Sequence, residues 1–459
     1  MKKFIAMFAF AAMAFGWASC SDDEDGYRTY PVEVQLTAPV IGDNLTRSEA
    51  GTFDMEGIEV TASGTTGTQV TATTNAAGKA SFDLPEDVYT FSAFYTLTVD
   101  GVAYPVNFTQ NFTVSAANFA GTSFAVAVEP IVSQGTSQVR IKEVYTGGCQ
   151  TDDGSGYYQW DKYIVIYNNS AYEADIKNFC VSNAGPYNAN AGFNNYVDDK
   201  LVYADAGYTP AHAYFFYMQN NLVLAPYTSA TIVLCGAIDH TGTYKNSVDL
   251  SHADYVCYDV EDFWKTSSHP VPSENIPEAN YLLASKYCLA GQNGAAWSMV
   301  GPGMFIFSTG DNEPNAYGQD VANRYYFPGW ENNAVYAGTK IPNEWIFDAV
   351  DIWGADYVGM SKARFSATLD AGSIYMTNKQ GYSIYRNVDK EATEALPENE
   401  GKLVYNYSLG TTYYDDSQST DPSGIDAEAS IKNGAHIVYK DTNNSGNDFH
   451  QRKQASLKD

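Results

Sequence analysis

Alternation of apolar and polar residues constrains this chain more than any other feature. In YPVEVQLTAPV (30–40) and GIEVTASG (57–64) apolar side chains recur at every second position. A strand turns successive side chains to opposite faces, so such runs need a sheet with one face covered. The stretch TQVTATTNAAGKASFDLPEDVYTFSAFYTLTVDG (68–101) continues the pattern. It breaks at Asn75-Ala76-Ala77-Gly78 and at Leu84-Pro85-Glu86-Asp87, both turn sequences. VNFTQNFTVSAANFAGTSFAVAVEP (106–130) supplies two more strands. Helical periodicity is sparse, with short helices expected only in EDFWK (261–265) and PEANYLLASKY (277–287). The expected fold class is all-β.

The 459 residues exceed one average domain and suffice to bury cores without covalent staples. We divide them into a signal segment (1–19), an acidic tether (20–30), a first β-sandwich (31–130) and a polar linker, IVSQGTSQ (131–138). A second, larger β-sandwich (139–459) follows, with loop insertions concentrated in 240–300.

The N-terminus carries an address. Met1-Lys2-Lys3 precedes the apolar run Phe4–Phe15, which is shorter than the ~20 residues a spanning helix needs. Trp17-Ala18-Ser19-Cys20 then resembles a bacterial lipobox, which implies that Cys20 is lipidated and becomes the mature N-terminus. Acyl chains contribute ~0.8 kcal/mol per buried CH₂, enough for anchoring when two or more are present. Ser21-Asp22-Asp23-Glu24-Asp25 is too densely charged to pack. It resembles the acidic export signal of surface-exposed Bacteroidota lipoproteins. The expected location is the outer membrane, lipid-anchored and facing the extracellular side.

Two further resemblances bear on the domains. TTNAAGKASFDLPEDVYTFSA is similar to transthyretin-like or carboxypeptidase-regulatory-like modules; Gly78 would close a hairpin, and Phe82 and Tyr89 would point inward. VRIKEVYTGG, YIVIYNNS, DIKNFCV and LAPYTSATIVL resemble a lamin-tail domain, an immunoglobulin-like sandwich. Val165 and Tyr227 depart from the glutamate and glycine usual in that family. With AIDHTG, SVDLSHADYVCYD and DTNNSGNDF, the chain resembles an uncharacterised family of Bacteroidota surface lipoproteins, which implies location and fold and hints at outer-membrane nutrient receptors nearby.

The formal charge of −28 argues against nucleic acid as a partner and leaves attachment to the acyl anchor. Cys149, Cys180, Cys235, Cys257 and Cys288 are odd in number and irregularly spaced, which favours buried thiols over a disulfide framework. No C-x-x-C, H-E-x-x-H, G-x-S-x-G or phosphate-binding loop is written in the chain, so neither cofactor nor metal is expected. DTNNSGNDFHQR has Asp441, Asn443 and Ser445 at calcium-loop spacing, but Arg452 stands where the bidentate glutamate belongs. It reads as a polar turn with Phe449 packed inward. Asp152, Asp153 and Asp161 in TDDGSGYYQWD read as a solvated hairpin loop. His240 and His252 flank a segment across which they could meet.

Aromatic residues remain. Tyr326, Phe327 and Trp330 surround the turn Pro328-Gly329, where exposure is expected, and are the candidate recognition residues. The expected function is therefore a non-enzymatic binding or accessory subunit of a TonB-dependent nutrient-uptake system. An outer-membrane transporter or a polymeric ligand would be the partner; the alternative is an adhesin or glycan-binding module. A hydrolase is disfavoured, because no region is left over once the strands are assigned.

Overall fold

The computed structural model describes residues 28–37, 55–99, 102–128, 131–132, 138–171, 173–259, 269–285, 295, 297–331, 333, 337–413 and 416–458. Cys20, Cys288 and the helix expected at 261–265 lie outside them. No helix among the described residues is long and apolar enough to cross a membrane.

Alternation does its expected work in the N-terminal unit. Thr29–Leu36 buries Tyr30, Val32, Val34 and Leu36 on one face. It pairs antiparallel with Lys79–Pro85 and parallel with Phe124–Val128. The second sheet runs Gln69–Thr73, Glu59–Gly64, Asp87–Val99, Val102–Val114, Ile131–Val132. The two sheets enclose one apolar core that includes Phe82, Tyr89, Phe91 and Phe108. Phe82 and Tyr89 are buried as expected. Gly78 sits at φ 71° and closes the turn Asn75–Gly78, its N–H donating to Asn75 O at 2.8 Å. The flanking strands enter different sheets, however, so this turn joins two layers and is not a hairpin.

The C-terminal unit is organised by a twelve-stranded sheet. One half of it reads Tyr255–Cys257, Ser229–Cys235, Lys162–Asn168, Val139–Tyr145, Ser383–Arg386, Phe449–Arg452. Val139–Tyr145 and Lys162–Asn168 are buried at every position, although Arg140, Lys142, Glu143 and Lys162 interrupt their apolar residues, because each has a strand on both sides and both faces covered. The terminal strands Ile374–Met376 and Phe449–Arg452 come back together, so the sheet folds over a core containing Ile141, Ile164, Phe179, Met304, Ile352 and Phe449. The all-β expectation holds. PEANYLLASKY was expected to be helical; Glu278–Asn280 forms only a 3-10 turn, and Tyr281–Ala284 is a strand paired with Tyr255–Cys257 and Phe216–Tyr217. A short apolar run carries no periodicity that separates helix from strand, and neighbouring strands decide it.

Buried charges tie the ends of this unit together. Arg140 Nε meets Asp441 Oδ2 at 2.8 Å, and Arg386 bridges Asp348 and Asp441. Burial opposes ionisation of Asp441, yet Arg140 and Arg386 hold its carboxyl below the ordinary range. The DTNNSGND turn is thus an arginine-binding and helix-capping element. Asn444 caps Ser445–Asp448, and Asp448 accepts from Thr442 N at 2.8 Å. Phe449 is buried, as expected.

Candidate functional site: an aromatic platform

The turn expected to present Tyr326, Phe327 and Trp330 splits them. Pro328 and Gly329 (φ 80°) occupy the centre of a four-residue turn closed by Trp330 N donating to Phe327 O at 2.9 Å. Proline second and a left-handed glycine third is the type II pattern. The turn sends its first and last residues in different directions. Phe327 is 0% exposed and belongs to a ring cluster with Tyr203 and Tyr325, so it is a packing residue and not a contact surface. Trp330 is 38% exposed. Tyr326 follows Tyr325 on Arg324–Tyr326; alternation turns it to the opposite face, where it is half-buried.

Trp330 does not stand alone. Its ring meets the edge of Phe193 at 6.1 Å. Phe193 lies 5.8 Å from Tyr187, a residue 42% exposed, and 5.2 Å from Phe327. His212 stacks near Phe193 at 6.5 Å and contacts Tyr187 at 6.0 Å. Burial, assisted by Arg364, pushes His212 down to about 4, so the imidazole is uncharged at neutral pH and acts as one more ring of the bed.

The bed is held from beneath. A Cβ on Gly185 would overlap the Phe327 ring, so glycine is what lets the 184–195 loop lie against it. Asn195 is buried: its amide donates to Gly185 O at 2.6 Å and Tyr203 OH at 3.2 Å, and accepts from Tyr325 OH at 2.7 Å. Tyr203 OH donates to Arg364 O at 2.6 Å. Arg364 in turn reaches Pro186 O at 3.3 Å and Gly301 O at 2.8 Å, and pairs with buried Asp351. Two exposed rings therefore rest on a fully packed support, an arrangement that costs little side-chain entropy when a ligand binds. Tyr187, Phe193 and His212 were not singled out from sequence. Tyr187 after Gly185-Pro186 is the same aromatic-beside-turn signal that marked Trp330.

The other sequence candidates have structural employment. Asp152 accepts from Lys245 N at 2.8 Å, and Asp153 binds Thr151 and Ser155 within its own turn. Asp161 is buried and accepts from Tyr145 OH at 3.1 Å and Ser247 Oγ at 2.5 Å. His240 contacts Tyr158 OH and Gly236 O, whereas His252 contacts Asn275, so each has a separate partner. Cys149, Cys180, Cys235 and Cys257 are buried thiols and form no disulfide with one another. Burial and the Asp161 carboxylate push the Cys149 thiol up to about 12, and burial does the same for Cys235. Thiols this reluctant to ionise are poor nucleophiles.

No curated protein matches the chain. The crystal structure of a DUF4876 family protein from Bacteroides thetaiotaomicron aligns over 92% of this chain and 94% of that one, with 18% identity and a TM-score of 0.48. A candidate adhesin from Bacteroides ovatus aligns over 58% of this chain and 97% of that one, with 10% identity and a TM-score of 0.19. Residues 225–408 match the model of a family described as a protein of unknown function, DUF4876.

Proposed function

We propose that this protein is a non-catalytic carbohydrate-binding lipoprotein, held at the outer face of the outer membrane by acyl chains on Cys20. The observation that carries this is the platform: Tyr187 and Trp330, 42% and 38% exposed, set on a packed bed of rings and satisfied amides. Exposed aromatic faces stack on the apolar faces of sugar rings, and Asn188, Asn190 and Asn194 in the adjoining loop supply donors and acceptors for hydroxyls. The absence of catalysis is part of the same proposal. It is supported by the acids and thiols being spent on the fold, as Asp161, Asp351 and Cys149 illustrate. A TonB-dependent receptor in the same membrane would be the consumer of captured chains, and co-purification from outer membranes tests that part.

The experiment is affinity electrophoresis of the soluble chain through gels containing plant, host and bacterial polysaccharides. The wild type is expected to be retarded by at least one of them, and the double variant Tyr187→Ala/Trp330→Ala to run free with an unchanged melting temperature. Equal retardation of both would overturn the assignment of the platform.

A further inference from the structure

A second concave surface shares no residue with the platform. It is a cleft of about 420 Å³ between the hairpin formed by Cys149–Gln150 and Tyr157–Tyr158 and two facing segments, 355–356 and 377–380. Its volume lies at the low end of the ~300–1,000 Å³ range of small-molecule pockets, room for one or two sugar rings.

The walls are fixed before any ligand arrives. Lys379 N donates to Gly147 O at 2.6 Å, and Gly381 N to Gly148 O at 2.8 Å, which staples the 377–380 segment to the root of the hairpin. From the other side Asn246 Nδ2 donates to Gln150 O at 3.1 Å. Tyr158 stacks on Tyr244 with centroids 4.2 Å apart. Lys379 itself is held at φ 66°, a left-handed conformation that costs a lysine of order 1 kcal/mol and persists where the surroundings enforce it. That conformation accompanies an ammonium placed 4.5 Å over the ring of Tyr157, which is 44% exposed.

The lining chooses the chemistry. It holds amides (Gln150, Asn378, Gln380), one carboxylate (Asp356), one ammonium (Lys379) and no aliphatic side chain larger than alanine. One charge of each sign disfavours a net-charged ligand, the lack of large aliphatic side chains disfavours an acyl chain, and the Tyr157 ring among the amides offers a face for the apolar side of a sugar ring. Gln150 and Gln380 touch each other only at 3.4 Å, a long bond that leaves both amides capacity. Asn378 Oδ1 is buried and meets no donor among the described residues. An unmet buried acceptor is costly, and a turn of the Asn378 side chain toward a ligand hydroxyl would relieve that cost.

We propose that this cleft is a second binding site, taking one or two residues of a neutral saccharide, such as a chain end or branch. The choice of saccharide builds on the function proposed above; the site itself stands on its own residues. Long chains lie across the platform, while the cleft takes the short end, and two contacts on one polymer raise avidity without tighter contact at either.

The test is calorimetric titration of the intact soluble chain with a panel of neutral disaccharides and the matching polysaccharides. Three proteins are compared: wild type, Asn378→Ala/Gln380→Ala, and Tyr187→Ala/Trp330→Ala. Disaccharide binding is expected to weaken at least tenfold in the cleft variant and to persist in the platform variant. Undiminished disaccharide binding in the cleft variant overturns the cleft while leaving the platform standing. Undiminished polysaccharide binding in the platform variant, with disaccharide binding lost in the cleft variant, overturns the platform and keeps the cleft. A wild type that binds no disaccharide of the panel overturns the cleft. Matching melting temperatures for the three proteins separate loss of contact from loss of fold.

Discussion

Replacing Phe327 by alanine separates the two roles the Phe-Pro-Gly-Trp turn plays. Phe327 is 0% exposed and touches Phe193, His212 and Tyr325 at centroid distances of 5.2, 5.5 and 5.6 Å. Burying a phenylalanine side chain contributes roughly 2 kcal/mol by transfer from water. Deleting the ring also opens a cavity of order 100 Å³, which at ~24 cal/mol per Å³ adds roughly 2 kcal/mol more. The expected cost of Phe327→Ala is therefore about 4 kcal/mol, reduced where the Gly185 loop can collapse inward. Trp330→Ala removes a ring that is 38% exposed and meets the edge of Phe193; with part of its surface already in water, it is expected to cost less than Phe327→Ala. Urea unfolding followed by circular dichroism measures both, with the slope checked for constancy so that the midpoint shift reports stability. If Phe327→Ala unfolds within about 1 kcal/mol of wild type, or Trp330→Ala costs as much as Phe327→Ala, the division into bed and platform is wrong.

Three other outcomes follow from particular residues. Tyr227 holds φ 55° and its ring stacks on His436 at 4.6 Å; since a left-handed conformation penalises any Cβ, Tyr227→Gly should be more stable than Tyr227→Ala by about 1 kcal/mol in chemical denaturation, reversing the usual order. Burial and the neighbouring Asp441 push Asp448 up to about 6, above its ordinary 3.8, so its stabilisation is complete below about pH 4 and lost as pH rises through 6. Wild type should therefore lose up to roughly 3 kcal/mol relative to Asp448→Asn across that window, and parallel pH profiles of the urea midpoint would contradict this. Cys149, Cys180, Cys235 and Cys257 should resist a thiol reagent in the native protein and react after denaturation without a reductant; labelling of any of them in the native state would contradict their burial.

Much of the fold was legible because the signal is local. Val32, Val34 and Leu36 alternate with Pro31, Glu33 and Gln35, and burial follows that alternation residue by residue. Tyr281–Ala284 was misread because four apolar residues fit a helix turn as well as a strand; only their partners in the sheet decide. Phe327 was misread for a related reason. A Pro-Gly pair announces a turn and hence exposure, but it does not say which flanking residue points inward. That depends on Gly185, distant in sequence and bare enough to admit the ring. Half the platform, Tyr187 and Phe193, comes from a loop that sequence spacing cannot place beside Trp330. The cleft was hidden altogether: TDDGSGYYQWD reads as a solvated acidic loop, but only Asp153 stays in its own turn, Asp152 reaches Lys245 and Asp161 is buried, while Gln150 and Tyr157 become a wall only once 377–380 is stapled opposite.

The most direct measurement is the affinity of the intact soluble chain for a retarding polysaccharide, titrated calorimetrically against wild type and Tyr187→Ala/Trp330→Ala. Two stacked rings at the centre of a contact contribute about 2 kcal/mol or more, so the variant should bind at least ~30-fold more weakly at unchanged stability. A wild-type affinity retained in the variant would contradict the claim that these two rings are where this protein meets its ligand.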